Sequence, residues 1–345
     1  MSQTHPGLDL DALGPWLATQ VPGAGTELEA TLIAGGKSNL TYAVTDGERE
    51  WIVRRPPLGH VLATAHDMAR EYRVMSALRD TGVPVPRTYA ICTDTSVVGS
   101  DFYVMERCVG TPYRRAAELE ALGPGRTRVI SERLVDTLAA LHAVDPDDVG
   151  LGDFGRAEGY LSRQVARWKK QLDASYSRDL PAADELHRLL AAHVPPESAT
   201  GIVHGDFRLD NILVDSTDGA DLVTAVLDWE MATLGDPLTD LALMLTYHRL
   251  GMSAGDDADA VSDVSAAPGF LTEEEVVERY ALGSDRNLSD FGFYLGLAAF
   301  KLAAILEGIH YRYLHGQTVG EGFDNIGDAI HPLLAAGLEA VKEQS

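Results

Sequence analysis

Residues 202–214 read Ile-Val-His-Gly-Asp-Phe-Arg-Leu-Asp-Asn-Ile-Leu-Val, a polar loop between two apolar, β-like ends. Asp206 and Asn211 lie inside it. A second carboxylate, Asp228, follows the apolar run Ala225-Val226-Leu227 and is itself followed by Trp229-Glu230. Phosphoryl transfer to a hydroxyl needs a carboxylate that accepts the hydroxyl proton, and oxygen ligands that hold Mg²⁺ against phosphates. Asp206 suits the first role; Asn211 and Asp228 suit the second. Taken singly, Asp206, Asp210 and Asn211 are equally turn formers. Turns alone do not account for an ordered set of His, Asp, Asn and a further Asp at the end of an apolar strand.

A second group of residues could meet phosphates. Gly35-Gly36-Lys37-Ser38-Asn39 lies between two β-like runs, where paired glycines allow backbone N–H groups to approach an anion and Lys37, Ser38 and Asn39 add donors. The same Gly-Gly is also the chemistry of a hairpin turn. In Trp51-Ile52-Val53-Arg54, strand alternation puts Ile52 and Arg54 on one face, with Arg55 as the competing cation. Glu71 sits beside the apolar stripe of Met68, Met75 and Leu78, where a carboxylate needs a cation. A surface pair with Arg70 or Arg73 is the simpler alternative.

The elements that must position these groups follow from periodicity. Residues 8–20 predict a short helix, broken at Gly14-Pro15, followed by strands over 28–33, 41–44 and 51–54. A helix is expected over 66–79 and strands over 88–92 and 102–107. From Gly110-Thr111-Pro112 onward the pattern turns helical, with helices over 128–142, 160–172 and 183–193. One compact β segment interrupts them, made of 202–203, 212–214 and 223–227 with a turn at Asp218-Gly219. Helices resume from Leu238, over 273–280 and 291–313. The Ala/Ser/Asp/Gly-rich stretch 253–268 reads as a flexible loop or lid. Asp240 falls at a helix start, where a carboxylate caps backbone donors.

His204-Gly205-Asp206 with Asn211, and Asp228-Trp229-Glu230 beyond it, resemble the catalytic segments of the aminoglycoside phosphotransferase and choline kinase group, relatives of protein kinases. The glycine-rich stretch, Arg54-Arg55-Pro56-Pro57 and residues 291–313 resemble in particular the kinase-like domains fused to acyl-CoA dehydrogenases. The resemblance implies an α+β, protein-kinase-like two-lobed fold. Its β-rich lobe would cover 1–107 and its helical lobe 108–345, with a hinge near 106–112. It also implies ATP and Mg²⁺ as cofactors, Asp206 as base, and Asn211 and Asp228 as metal ligands. Gly36, Lys37, Ser38, Asn39, Arg54, Glu71 and Glu106 would then form the nucleotide site, with Arg54 paired to Glu71. Glu106 marks the hinge, where backbone groups read the adenine. Arg54 stands where kinases carry Lys; it keeps the charge and adds a bidentate fork. His204 becomes a scaffold residue and Asp240 a brace for the loop. No Ala-Pro-Glu segment follows Asp228, which argues against a protein kinase.

The acceptor is then a small-molecule hydroxyl, a metabolite in the first instance and an aminoglycoside in the second. A nucleotide-binding pseudokinase scaffold is the alternative from another class. The expected acceptor wall is loop 253–268 and the helix through Glu307, His310, Tyr311 and Arg312; His310 and Arg312 either touch the acceptor or solvate the helix end. The 28 Lys and Arg against 52 Asp and Glu give a formal charge of −24, which repels nucleic acid and anionic membrane surfaces. Cys92 and Cys108 lack a CxxC or His-rich companion, so reduced thiols are expected. The apolar stretch 291–309 carries Lys301 and Glu307 and reads as a buried helix rather than a membrane span. With no basic-then-apolar leader at residues 1–15, the expected compartment is the cytoplasm, as monomer or homodimer.

Overall fold

A computed structural model gives the fold and describes residues 5–33, 39–58, 67–196, 200–253, 262–318 and 323–343. The chain divides into two compact units, Met1–Gly110 with Thr224–Ala232, and Thr111–Val223 with Thr233–Ser345. The short return segment, which carries Asp228, therefore belongs with the N-terminal unit, whereas a single cut at residue 107 would assign it to the other.

In the first unit, β1 (Glu29–Leu32), β2 (Leu40–Thr45), β3 (Glu50–Arg55), β4 (Thr88–Cys92) and β5 (Phe102–Glu106) form one sheet in the order β1-β2-β3-β5-β4. Each neighbouring pair in it is antiparallel. Alternation sends Tyr42, Val44, Trp51, Val53, Phe102 and Val104 into a core with Leu13 and Leu17 of helix α1 (Leu10–Gln20). The opposite face presents Arg54 and Tyr103, which stand directly across from each other on β3 and β5. Helix α2 (Met68–Leu78) begins at Asp67, whose carboxylate accepts the Arg70 N–H at 3.0 Å. A one-turn helix, α3 (Thr95–Val98), links β4 to β5.

Helix α1 corrects one expectation, because it runs unbroken through Gly14-Pro15. Pro15 removes one helical hydrogen bond, but the burial of Leu13 and Leu17 outweighs the loss. Gly14 has a packing reason: a Cβ there would lie 2.0 Å from the Thr26 carbonyl oxygen. The return segment is tied down within the same unit. Val226 N–H donates to Pro84 O at 2.8 Å, and the Arg70 guanidinium to Ala232 O at 3.2 Å.

The second unit is mainly helical: α4 (Ala116–Glu120), α5 (Pro124–Ala143), α6 (Tyr160–Asp173), α7 (Pro181–Ala192), α8 (Leu238–Ser253), α9 (Glu273–Leu282), α10 (Phe291–Leu314) and α11 (Ile330–Glu343). Strand β6 (Gly201–Val203) pairs antiparallel with β9 (Thr233–Gly235), and β7 (Ile212–Asp215) pairs with β8 (Leu222–Val226). The single β segment expected from sequence is thus two separate pairs. Strand β9, three residues long, is too short to show alternation, and neither it nor α4 and α11 was expected.

Helix α10 is apolar on nearly every side because it is enclosed by α6, α8 and α11. It is long and apolar enough to cross a membrane, yet 78% of its most apolar window is buried inside the protein. Glycines allow the close packing: a Cβ on Gly296 would lie 2.4 Å from Val341 Cγ2, and one on Gly337 2.9 Å from Ala299 Cβ. Of the expected loop 253–268, residues 254–261 lie outside the described residues. Its end is anchored, with Asp263 Oδ1 accepting the Ala116 N–H at 2.8 Å and the Ser262 hydroxyl donating to Arg114 O at 3.0 Å. Both cysteines are free thiols.

His248 on α8 is 7% exposed, packs edge-on against Phe270, and has no hydrogen-bond partner for Nε2 among the described residues. Burial lowers its pKa to about 4, against a partial opposing pull from Glu273. The folded imidazole stays neutral where the unfolded one charges, so this contribution to stability is full above about 6.5 and is lost as pH falls towards 4. The loss should reach about 3 kcal/mol. Urea unfolding at pH 7 and pH 4.5 checks this, and a His248→Phe variant should show a correspondingly flatter pH dependence.

Candidate active site

The first unit gathers one cation among three carboxylates. Arg54 Nε lies 3.0 Å from Glu71 Oε2, and Arg54 Nη2 lies 2.5 Å from Asp228 Oδ1. The first approach is a charge contact rather than an aligned hydrogen bond, since the Nε–H has no acceptor in line among the described residues. Glu71, 1% exposed, also accepts the Tyr103 hydroxyl at 2.8 Å and the Asn39 amide at 3.3 Å. Asn39 extends the network to Glu230 Oε2 at 3.2 Å. Burial raises the Glu71 pKa, with Arg54 and the Tyr103 hydrogen bond opposing it. For Arg54 burial opposes the charge, but Tyr103 and the carboxylates of Glu71, Asp228 and Glu230 outweigh it and raise the pKa.

Two of the sequence alternatives are thereby decided. Glu71 pairs with Arg54 rather than with surface arginines. Arg55 points to the other face of β3, where it donates to Val98 O at 2.9 Å and to Gly7 O. Asp228 is held at φ 65°, a left-handed conformation uncommon for a non-glycine residue and typical of strained functional positions. Glu106 ends β5 with an exposed side chain whose Oε2 accepts the Arg87 N–H at 3.2 Å. Gly36, Lys37 and Ser38 lie outside the described residues.

The second unit presents the loop between β6 and β7. Its backbone is clamped by Asp240, 1% exposed, which accepts His204 N–H at 2.6 Å and Gly205 N–H at 2.8 Å. Gly205 adopts φ 87°, a turn that glycine makes without strain. Lys301, projecting from α10 with its ammonium 5.4 Å from the Trp168 ring centroid, donates to Gly205 O at 2.7 Å. The fully buried His204 accepts the Asp206 N–H on Nδ1 at 3.2 Å, a scaffold contact. Burial works to raise the Asp240 pKa, but His142, His204 and the Gly205 N–H overcome it and hold it low, so the brace stays ionised. His142, whose pKa burial lowers, contacts Asp240 at 3.4 Å and Tyr280 at 2.8 Å.

The clamp leaves the Asp206 carboxylate to other donors. Asn211, at the end of the 3₁₀ turn Leu209–Asn211, donates through Nδ2 to Asp206 Oδ2 at 3.1 Å and Asp206 O at 2.9 Å. The Tyr247 hydroxyl donates to Asp206 Oδ1 at 2.9 Å. Arg208 pairs with Asp210 and covers the Tyr247 ring at 4.6 Å from its centroid. Tyr247 and Tyr103 carry no sequence signal, being 41 and 32 residues from their partners. Lys301 does carry one: it is the one Lys or Arg in the apolar run 291–309. On the expected acceptor helix, Glu307 is taken up by Arg178 at 3.1 Å and by the Ser177 hydroxyl at 2.6 Å, a structural role. Arg312 is exposed, and His310 Nδ1 is buried without a hydrogen-bond partner among the described residues.

Removing the Asp240 carboxylate should be costly. Asp240→Asn keeps the shape but offers one acceptor oxygen to two buried backbone donors, and sets its amide against the other. A loss of about 2–4 kcal/mol in urea unfolding is expected.

An antiparallel-sheet unit and a helical unit carrying this loop define an α+β, kinase-like phosphotransferase fold. The chain belongs to the phosphotransferase enzyme family (APH), whose signature matches residues 29–279. Acyl-CoA dehydrogenase family member 11 of Gallus gallus is 36% identical over 319 residues, which cover 90% of this chain and 40% of that protein. The chain thus spans about two fifths of the length of such curated relatives, and the resemblance to kinase-like domains fused to acyl-CoA dehydrogenases is borne out. A crystal structure of a provisionally named aminoglycoside phosphotransferase from Ralstonia eutropha is similar, with a TM-score of 0.84 and 34% identity, covering 97% of this chain and 98% of that one. A thermostable aminoglycoside phosphotransferase solved with AMP-PNP and hygromycin B shares the fold at a TM-score of 0.61 and 15% identity, over 96% and 98% of the two chains.

Proposed function

We propose that this chain transfers the γ-phosphoryl group of ATP to a hydroxyl of a small metabolite, with Asp206 as the base. The observation that carries the reading is the Asp206 carboxylate, held on both oxygens by Asn211 and Tyr247 on a loop whose backbone Asp240 and Lys301 clamp independently. Asp206 takes the proton as the acceptor oxygen bonds to the γ-phosphorus, and the bond to the β,γ-bridging oxygen breaks to release ADP. Arg54 supplies the fixed positive charge for the nucleotide phosphates, and Glu71 fixes Arg54. AMP-PNP in a structural relative supports ATP as donor.

The residues present suit a magnesium ion. Asn211 directs its amide N–H groups at Asp206, which leaves its oxygen as the end able to ligate a cation. Asp228 brings an oxygen anion on a strained backbone and is 30% exposed. Asn211 and Asp228 are the groups that would hold Mg²⁺, which when bound neutralises phosphate charge.

Incubation with ATP, Mg²⁺ and a panel of hydroxy acids, their thioesters and aminoglycosides, with products read by mass, tests the reading. It expects a phosphomonoester of a hydroxylated acid or thioester. Phosphorylation of aminoglycosides alone would move the assignment to antibiotic modification. ATP binding without any product would leave a pseudokinase.

A further inference from the structure

We propose that Tyr247 is a positioning residue for phosphoryl transfer, locking the plane of the Asp206 carboxylate so that a defined lone pair meets the acceptor hydroxyl. The inference rests on the phosphotransferase reading above. A carboxylate bonded through one oxygen can turn about its Cβ–Cγ bond; two donors arriving from different elements prevent this. Tyr247, from α8, donates to Oδ1 at 2.9 Å, and Asn211, from the 3₁₀ turn, donates to Oδ2 at 3.1 Å. Each carboxylate oxygen accepts more than one hydrogen bond, so both remain open to a further donor.

Holding the loop in place does not account for the Tyr247 contact. Asp240 binds the backbone of His204 and Gly205, and Lys301 binds the Gly205 carbonyl, both without using the Asp206 side chain. Tyr247 reaches the carboxylate itself. The phenol is in turn fixed, because the Arg208 guanidinium lies over its ring and is tied back to Asp210. Burial, and then Asp206 beside it, raise the Tyr247 pKa, which keeps it a donor throughout the working pH range. Among the described residues, Arg208 from its own loop, Tyr247 from α8 and Lys301 from α10 interact electrostatically with Asp206. Of these, Tyr247 and not the two cations makes the hydrogen bond to the carboxylate.

The test uses the full chain with ATP and Mg²⁺, water serving as the acceptor, in wild type, Tyr247→Phe, Asp206→Asn and Tyr176→Phe. Tyr176 is the control, since its hydroxyl donates to another aspartate, Asp184, at 3.3 Å. Tyr247→Phe keeps the ring under Arg208. It should lower kcat about tenfold or more and leave the KM for ATP within about twofold. Tyr176→Phe should behave as wild type in both kcat and KM. Asp206-dependent turnover that Tyr247→Phe leaves unchanged, or a loss that falls on the KM for ATP rather than on kcat, overturns the positioning role alone. Wild-type turnover no greater than that of Asp206→Asn overturns the phosphotransferase reading, and the inference with it.

Discussion

Asp206→Asn is expected to slow phosphoryl transfer about a thousandfold while nucleotide affinity stays within about twofold. The substitution is isosteric and leaves the clamps on the loop backbone untouched, since Asp240 and Lys301 bind His204 and Gly205 rather than Asp206. What disappears is the only group in this loop placed to take the hydroxyl proton. The neighbouring acid, Asp210, is bound up with Arg208. ADP release at saturating ATP gives the rate, and calorimetric titration with ADP gives the affinity. A variant that binds normally and turns over normally would remove Asp206 from the chemistry.

Arg54→Met should be the most disruptive change in the first unit, lowering stability by about 3–5 kcal/mol and raising the KM for ATP. Glu71 is 1% exposed and depends on Arg54 for its counter-charge, while Tyr103 and Asn39 supply only neutral donors. Without the guanidinium a carboxylate is left buried and uncompensated. The sign with pH is definite. Burial already raises the Glu71 pKa, and loss of the cation raises it further. The folded variant then binds a proton that the unfolded chain does not, so its deficit against wild type should shrink as pH falls from 7 to 5. Arg54→Lys should recover most of the stability, although one ammonium cannot reach both Glu71 and Asp228 as the fork does. Urea unfolding at the two pH values checks both statements.

The two cases also show what a sequence can and cannot disclose. Asp206 and Asn211 are five residues apart, so the spacing that makes them recognisable also closes the bond between them. Alternation on β3 put Arg54 opposite the core face, and the apolar stripe of α2 called for a cation at Glu71; the ion pair answers both. The sheet unit and the long helices were legible for the same reason, since strong period-2 or 3.6 patterns mark an interface. Short or compensated features were not. Strand β9 offers three residues, one of them glycine, and is defined only by its partner β6. Gly14-Pro15 looks like a helix stop until Thr26 is found packed against it. Tyr247 and Lys301 reach the loop between β6 and β7 from helices 41 and 96 residues away; a lone cation in an apolar run marks Lys301, and no local pattern announces Tyr247.

The proposed activity needs a divalent ion with the nucleotide, and Asn211 and Asp228 are each assigned to it. Mn²⁺ binding in the presence of ADP, followed by electron paramagnetic resonance in wild type, Asn211→Ala and Asp228→Asn, measures this directly. Each substitution should weaken Mn²⁺ affinity at least about tenfold, and only when nucleotide is present. Wild-type Mn²⁺ affinity in both variants would contradict the assignment of these two residues to the metal.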